Sequence, residues 1–383
     1  MKKLFNLLLI VLCAILIFPK NCSNVTFADS TKTYYTVYKD SSKKDVLFLK
    51  GDDVSKGDRY LSGDNKLYEI ESVDDKNKTA IAKFLKDEEL PKYNVTRKET
   101  EISKSANATT KKKVGVYHTH NDESYYTPDG VDSVYGKGGI HDVGKALVNS
   151  FNQLGIETIY REDLHLPHNS GAYTRSQVTA TAILNQGVDG IFDIHRDSTK
   201  RSEYLITLDG KQMSSIRMVV GSSSANFEEN KKFAYSIKSY ADSVYKGLIK
   251  DVYFGRGNYN QQLSTRAMLF EFGCENIEKD FAIRSAPYLA KVLDVVLYGS
   301  NNASKTSLSD ISMTGAGNAT ITGLVSNNNA VNSNSTLYIV LGIVGVVVLI
   351  LANVLLVSKK ARYKFGRFFS EMFAGLFGKK SKN

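Results

Sequence analysis

Cysteine is nearly absent from this sequence, with only Cys13, Cys22 and Cys274 in 383 residues. Two of the three fall in residues 1–28, which carry Lys2, Lys3 and Lys20 and no acid. The apolar run there is about fifteen residues long, the size of a signal-peptide core and short for a spanning helix. Thr26 and Ala28 are small residues at the positions a signal peptidase reads, so cleavage after Ala28 is expected. A mature chain would then keep Cys274 alone, which excludes an intrachain disulfide framework. No positioned base accompanies Cys274, and it reads as a buried, inert thiol. A broad positive field is also missing. The formal net charge is +10, but residues 1–28 supply +3 of it and residues 359–383 supply +7, so the middle of the chain is near neutral. Nucleic acid is therefore excluded as a partner. There is no HExxH run and no internal repeat.

What is present begins with a strongly apolar segment near the C-terminus. Residues 337–357, LYIVLGIVGVVVLILANVLLV, contain one Asn and no charge. As a helix they would span roughly 31 Å, the thickness of a bilayer core. The basic tail 358–383 follows at once, so the positive-inside rule places it in the cytoplasm and everything before the span outside. A single-pass protein of the cell membrane is expected, with a flexible Asn/Ser/Thr-rich spacer over 301–336. Residues 29–87 read as a small β-rich domain of short alternating runs separated by Asp, Gly, Ser and Asn turns. Residues 88–112 are polar and lysine-rich and read as a linker. Residues 113–300 alternate apolar strands with amphipathic helices, the pattern of an α/β domain whose mostly parallel sheet is flanked by helices. In such sheets the chemistry gathers at the carboxyl ends of the strands.

All six histidines lie between residues 118 and 195. VGVYHTH ends in His118 and His120, with Asp122 and Glu123 just beyond; DGIFDIH ends in His195, followed by Arg196 and Asp197; AMLFEF carries Glu271 between two phenylalanines. Three strands thus deliver two imidazoles and carboxylates to one sheet edge. Two imidazoles plus a carboxylate, with a water in the fourth position, is a catalytic zinc arrangement suited to amide hydrolysis. A carboxylate in an apolar strand is costly unless paired or catalytic, which singles out Glu271. His165 and His168 sit in a Pro/Asn-containing loop and read as solvated. His141, at a helix start, is a further candidate imidazole.

The pieces YHTHNDESYY (117–126), GIHDVGKAL (139–147), AYTRSQ (172–177), FDIHRDS (192–198) and NYNQQLSTRAMLFEFG (258–273) together resemble the stage II sporulation protein P family of spore-forming Firmicutes. The same region is similar to the zinc-dependent N-acetylmuramoyl-L-alanine amidases. That resemblance implies a peptidoglycan hydrolase, acting in forespore engulfment alongside stage II sporulation proteins D and M. It implies Zn2+ held by His118, Glu123 and His195, with His120 and His141 as alternatives to Glu123 for the third ligand, and Glu271 as the catalytic carboxylate. It further implies that Arg196, counted with Glu271 among the catalytic residues, and Asp197 orient the site or the substrate carboxylates, and that Tyr259, Asn260 and Gln261 are candidates to grip glycan or peptide. The competing expectations are a catalytically weak wall-binding scaffold and a different metal hydrolase such as a deacetylase.

Overall fold

The computed structural model describes residues 34–51, 53–91 and 111–299. The signal segment, the spacer 301–336, the span 337–357 and the tail 358–383 lie outside these residues, as does most of the linker 88–112. Among the described residues no helix is long and apolar enough to cross a membrane.

Five strands fill the N-terminal part: β1 (Tyr35–Tyr38), β2 (Val46–Lys50), β3 (Arg59–Leu61), β4 (Lys66–Asp74) and β5 (Thr79–Asp87). The following region supplies β6 (Lys113–Tyr117), helix α1 (Ile140–Gln153), β7 (Glu157–Tyr160), α2 (Ala172–Leu184), β8 (Gly190–Asp197), β9 (Leu205–Leu208), β10 (Lys211–Ser214) and β11 (Ile216–Gly221). Helix α3 (Phe227–Val244), β12 (Ile249–Gly255), β13 (Ala267–Cys274) and α4 (Lys279–Tyr298) complete it. Eleven strands form one sheet in the order β2-β1-β5-β4-β3-β12-β11-β13-β8-β6-β7, and β9 and β10 make a separate hairpin.

The expected helices form where apolar residues recur at helical spacing. Ile140, Val143, Leu147 and Phe151 of α1 are all buried against the sheet. The central strands β8 and β13 are buried along their whole length, as a sheet covered on both faces requires. Their two-residue period sorts the side chains by face. Phe192, Ile194, Met268, Phe270 and Phe272 join one core with residues of α1, α3 and α4. The opposite face receives Leu269, Val219 and Tyr253, packed with Tyr35, Val37 and Phe48 of the N-terminal strands.

The structure departs from the expectations in three respects. The sheet is mixed: β7, β6, β8 and β13 run parallel, but β11 is antiparallel to β13. The N-terminal strands form where expected, yet they do not close on themselves as a separate domain. Strand β3 pairs with β12 and makes them an extension of the same sheet. Strand β12 and the β9–β10 hairpin were not expected. The hairpin had a readable signal in Asp209-Gly210, both left-handed (φ 50° and 71°), the turn chemistry of a tight hairpin.

Candidate active site

Strands β6, β8 and β13 run parallel, so their carboxyl ends meet at one edge. Tyr117 of β6 faces Asp193 of β8, and His195 of β8 faces Glu271 of β13. At this edge His120, Glu123 and His195 converge, each offering one nitrogen or oxygen within 4.8 Å of the others. Glu123 Oε1 lies 3.1 Å from His120 Nδ1 and 3.3 Å from His195 Nδ1, while Oε2 accepts the backbone N–H of Arg196 at 2.8 Å. Glu123 and His195 are only 3% and 2% exposed. Burial alone would raise the Glu123 carboxyl, but His195 and His120 outweigh it and hold the pKa well below the usual carboxylate range. The turn carrying Glu123 is closely backed: a Cβ on Gly138 would lie 2.2 Å from the Glu123 carbonyl oxygen. Only glycine allows that approach.

His118 is not part of this cluster, and His120 stands where His118 was expected. The reason is the end of the strand. H-x-H places both imidazoles on one side only while the chain stays pleated, and β6 stops at Tyr117. His118 turns inward instead. Its Nδ1 meets the Ile194 carbonyl at 2.9 Å and its Nε2 meets the Tyr160 hydroxyl at 3.0 Å, so both nitrogens are used. Burial pushes its pKa down to about 3, which keeps the ring neutral. His141 packs beside His118, ring centroids 4.7 Å apart, and likewise stays outside the cluster.

Asp193, two residues before His195 and on the same face of β8, was not foreseen. Its Oδ1 lies 3.0 Å from His195 Nε2. The backbone N–H of Thr119 donates to Oδ1 at 2.8 Å and the Thr119 hydroxyl to Oδ2 at 2.6 Å. Burial would lower the His195 pKa, but Asp193 and Glu123 reverse that and raise it well above the ordinary value. A carboxylate behind a ligating histidine fixes ring orientation and raises its basicity. The sequence signal was the two-residue period of D-I-H.

Glu271 is 7% exposed and sits between His195 on β8 and Arg217 on β11, its register partners on either side. Arg217 is buried and forks onto Asp251 (2.7 and 3.0 Å), with its remaining nitrogen 2.7 Å from Asp197 Oδ2. Asp197 also accepts the Gly51 N–H at 3.0 Å and the Tyr204 hydroxyl at 2.8 Å, so it ties the N-terminal strands to the site. Arg196, expected to act in catalysis, donates instead to the carbonyls of Ser124 (3.1 Å) and Asp132 (2.7 Å). It clamps the loop that bears Glu123 and is a positioning residue.

The remaining histidines are not simply solvated. His165 is buried, bonded to the His118 carbonyl (2.7 Å) and the Thr179 hydroxyl (2.9 Å). His168 stacks on His120 at 3.8 Å and bonds Asp122 at 2.9 Å, which raises its pKa. Cys274 is buried and its thiol is pushed up to about 12 by burial, so it is inert as expected. Gln261 spends its amide on the Gly221 N–H and the Val219 carbonyl, both at 2.8 Å, and so holds its loop.

The donor set at the sheet edge, two imidazoles and one carboxylate from the loop after β6 and from β8, could hold a metal ion, and nitrogen and carboxylate donors suit zinc. The residues present fit such an ion.

Stage II sporulation protein P of Bacillus subtilis (strain 168) is 33% identical over 183 residues, covering 43% of this chain and 45% of that protein. The match thus spans less than half the length of that relative. Among solved structures, the amidase AmiC2 of Nostoc punctiforme superposes with a TM-score of 0.30 at 13% identity, over 50% of this chain and 97% of that one. The CwlD amidase from Clostridioides difficile, solved in complex with the GerS lipoprotein, gives 0.34 at 14% identity, over 49% and 95%. The family model of stage II sporulation protein P (SpoIIP) matches residues 39–294, from the N-terminal strands through the whole sheet edge just described, and the chain belongs to that family.

Proposed function

We propose that the protein is a zinc-dependent peptidoglycan hydrolase that cleaves the amide between the lactyl group of N-acetylmuramic acid and L-alanine. The observation that carries this reading is the meeting of His120, Glu123 and His195 with Glu271 in register beside His195. His120, Glu123 and His195 would hold the ion. When bound, zinc would polarise the scissile carbonyl and lower the pKa of a water toward ~7. Glu271 is the acid–base residue: its carboxylate takes the water proton during attack and returns it to the leaving alanine nitrogen. Asp193 orients His195, Thr119 orients Asp193, and Arg196 fixes the loop of Glu123 against β8. These supports hold the reacting groups in place before substrate arrives, which lowers the cost of reaching the transition state.

The sporulation family and the apolar run 337–357 support a setting at the outer face of the cell membrane, with the catalytic region toward the wall and stage II sporulation proteins D and M as partners. Incubation of the full chain with purified peptidoglycan, followed by mass spectrometry, tests the chemistry. Chelator-sensitive appearance of N-terminal alanine, lowered at least ~100-fold in Glu271→Gln, is the expected result. Release of acetate without new alanine amines would make the protein a deacetylase instead.

A further inference from the structure

Beside the metal cluster stands a pair of half-buried tyrosines whose placement costs the backbone strain. Tyr173, in the first turn of α2, lies 6.3 Å from the His195 ring and nearly parallel to it (19°), and 5.5 Å from the His120 ring. Tyr259 meets Tyr173 at 5.3 Å and 69°, so the two rings make a corner. Tyr259 and the following Asn260 both adopt left-handed backbone, φ 49° and 57°. Two successive non-glycine residues in that region are costly, and such strain persists where a structure over-determines it.

The surroundings supply that constraint. Asn260 Nδ2 donates to the Tyr173 carbonyl (3.1 Å) and the Ser176 hydroxyl (2.9 Å), joining the loop to α2. Beneath the phenol, a Cβ on Gly255 would lie 2.6 Å from the Tyr259 hydroxyl, and one on Gly257 would lie 2.6 Å from its ring. The two glycines leave the room in which the aromatic ring lies. The Asn260 amide nitrogen and both ends of the Gln261 amide are committed to the protein. What the corner presents is two aromatic rings inclined at 69°, next to the candidate ligands and carrying no charge.

We infer that Tyr173 and Tyr259 form a sugar subsite: one pyranose ring of the glycan strand seats its C–H face on the aromatic corner and so holds the muramoyl amide over the metal cluster. An aromatic face is the negative part of the ring quadrupole and attracts the weakly positive C–H face of a pyranose. A stem peptide would bring carboxylates that call for cations, which two tyrosine rings do not supply. The inference rests on the hydrolase reading for its substrate, and the test separates the two.

The chain contains no tryptophan, so Tyr259→Trp introduces a single indole reporter that keeps an aromatic face. Peptide-free glycan strands added to the full-length variant should shift its emission to the blue and saturate; free stem peptide should leave it unmoved. Tyr259→Ala should weaken glycan binding about five- to tenfold with zinc content unchanged. A shift caused by stem peptide and not by glycan would overturn the sugar subsite. If wild-type chain cleaves peptidoglycan while Tyr259→Ala keeps its KM and glycan affinity, the subsite falls and the hydrolase stands. Tyr259-dependent glycan binding by a chain that cleaves nothing would have the reverse meaning.

Discussion

Two histidines only two residues apart, His118 and His120, have opposite duties. His118 is sealed between the Ile194 carbonyl and the Tyr160 hydroxyl as a neutral ring, and His120 reaches Glu123 and the stacked ring of His168. Gly144 of α1 makes the first arrangement feasible, since a Cβ there would lie 2.4 Å from His118 Nε2. At this scale the least expected residue is Asp193. Replacing it with Asn keeps the shape and removes the charge behind His195. Zinc affinity in Asp193→Asn should fall 10- to 100-fold, read by competition with a chromophoric chelator; unchanged affinity would deny Asp193 its orienting role. Glu271 was singled out by residue type, a carboxylate in an apolar strand, and His195 by its place on a strand, whereas Glu123 as a ligand came only with the family resemblance. Choosing between His118 and His120 required knowing the residue at which β6 ends, and no residue type encodes that. Arg196 was misread for a related reason: its partners are backbone carbonyls, which every sequence possesses.

At the scale of elements, legible strands include those buried along their whole length, such as β8 and β13, and the helices are those with an unbroken apolar stripe. Strand β12 was hidden because Asp251 interrupts its apolar pattern. Its countercharge, Arg217, lies on another strand 34 residues earlier. Burial would raise the Asp251 pKa, but Arg217 and Lys250 outweigh it and hold the carboxyl below its ordinary value. A depressed pKa in the folded state contributes stability that is present above the unfolded value of ~3.9 and lost as pH falls through the folded one. Denaturant unfolding of the wild-type chain should therefore lose stability on acidification through and below ~3.9. Arg217→Met strands two buried carboxylates, Asp251 and Asp197, and should cost about 3–5 kcal/mol at neutral pH. It should also abolish this part of the acid dependence. An equally steep acid slope in the variant would show that the ion pair does not set it.

The molecule as a whole has one continuous eleven-stranded sheet where the sequence suggested two domains. The runs of residues 34–87 are short and half apolar, which predicts strands but not their partners. Pairing of β3 with β12, and the contacts of Gly51 with Asp197 and of the Leu49 carbonyl with Arg217, are long-range facts that local pattern does not carry. Through them the N-terminal strands brace the buried charges behind the sheet edge, and the family match includes them. At that edge His120, Glu123 and His195 form the proposed metal centre. The most direct test is zinc stoichiometry of the full-length protein by mass spectrometry of the purified metal, for wild type, His118→Gln and His120→Gln. One zinc per chain is expected in wild type, with zinc retained in His118→Gln at lowered thermal stability and lost in His120→Gln. Loss of zinc in His118→Gln with retention in His120→Gln would contradict the proposed centre and restore the ligand set first expected from the sequence.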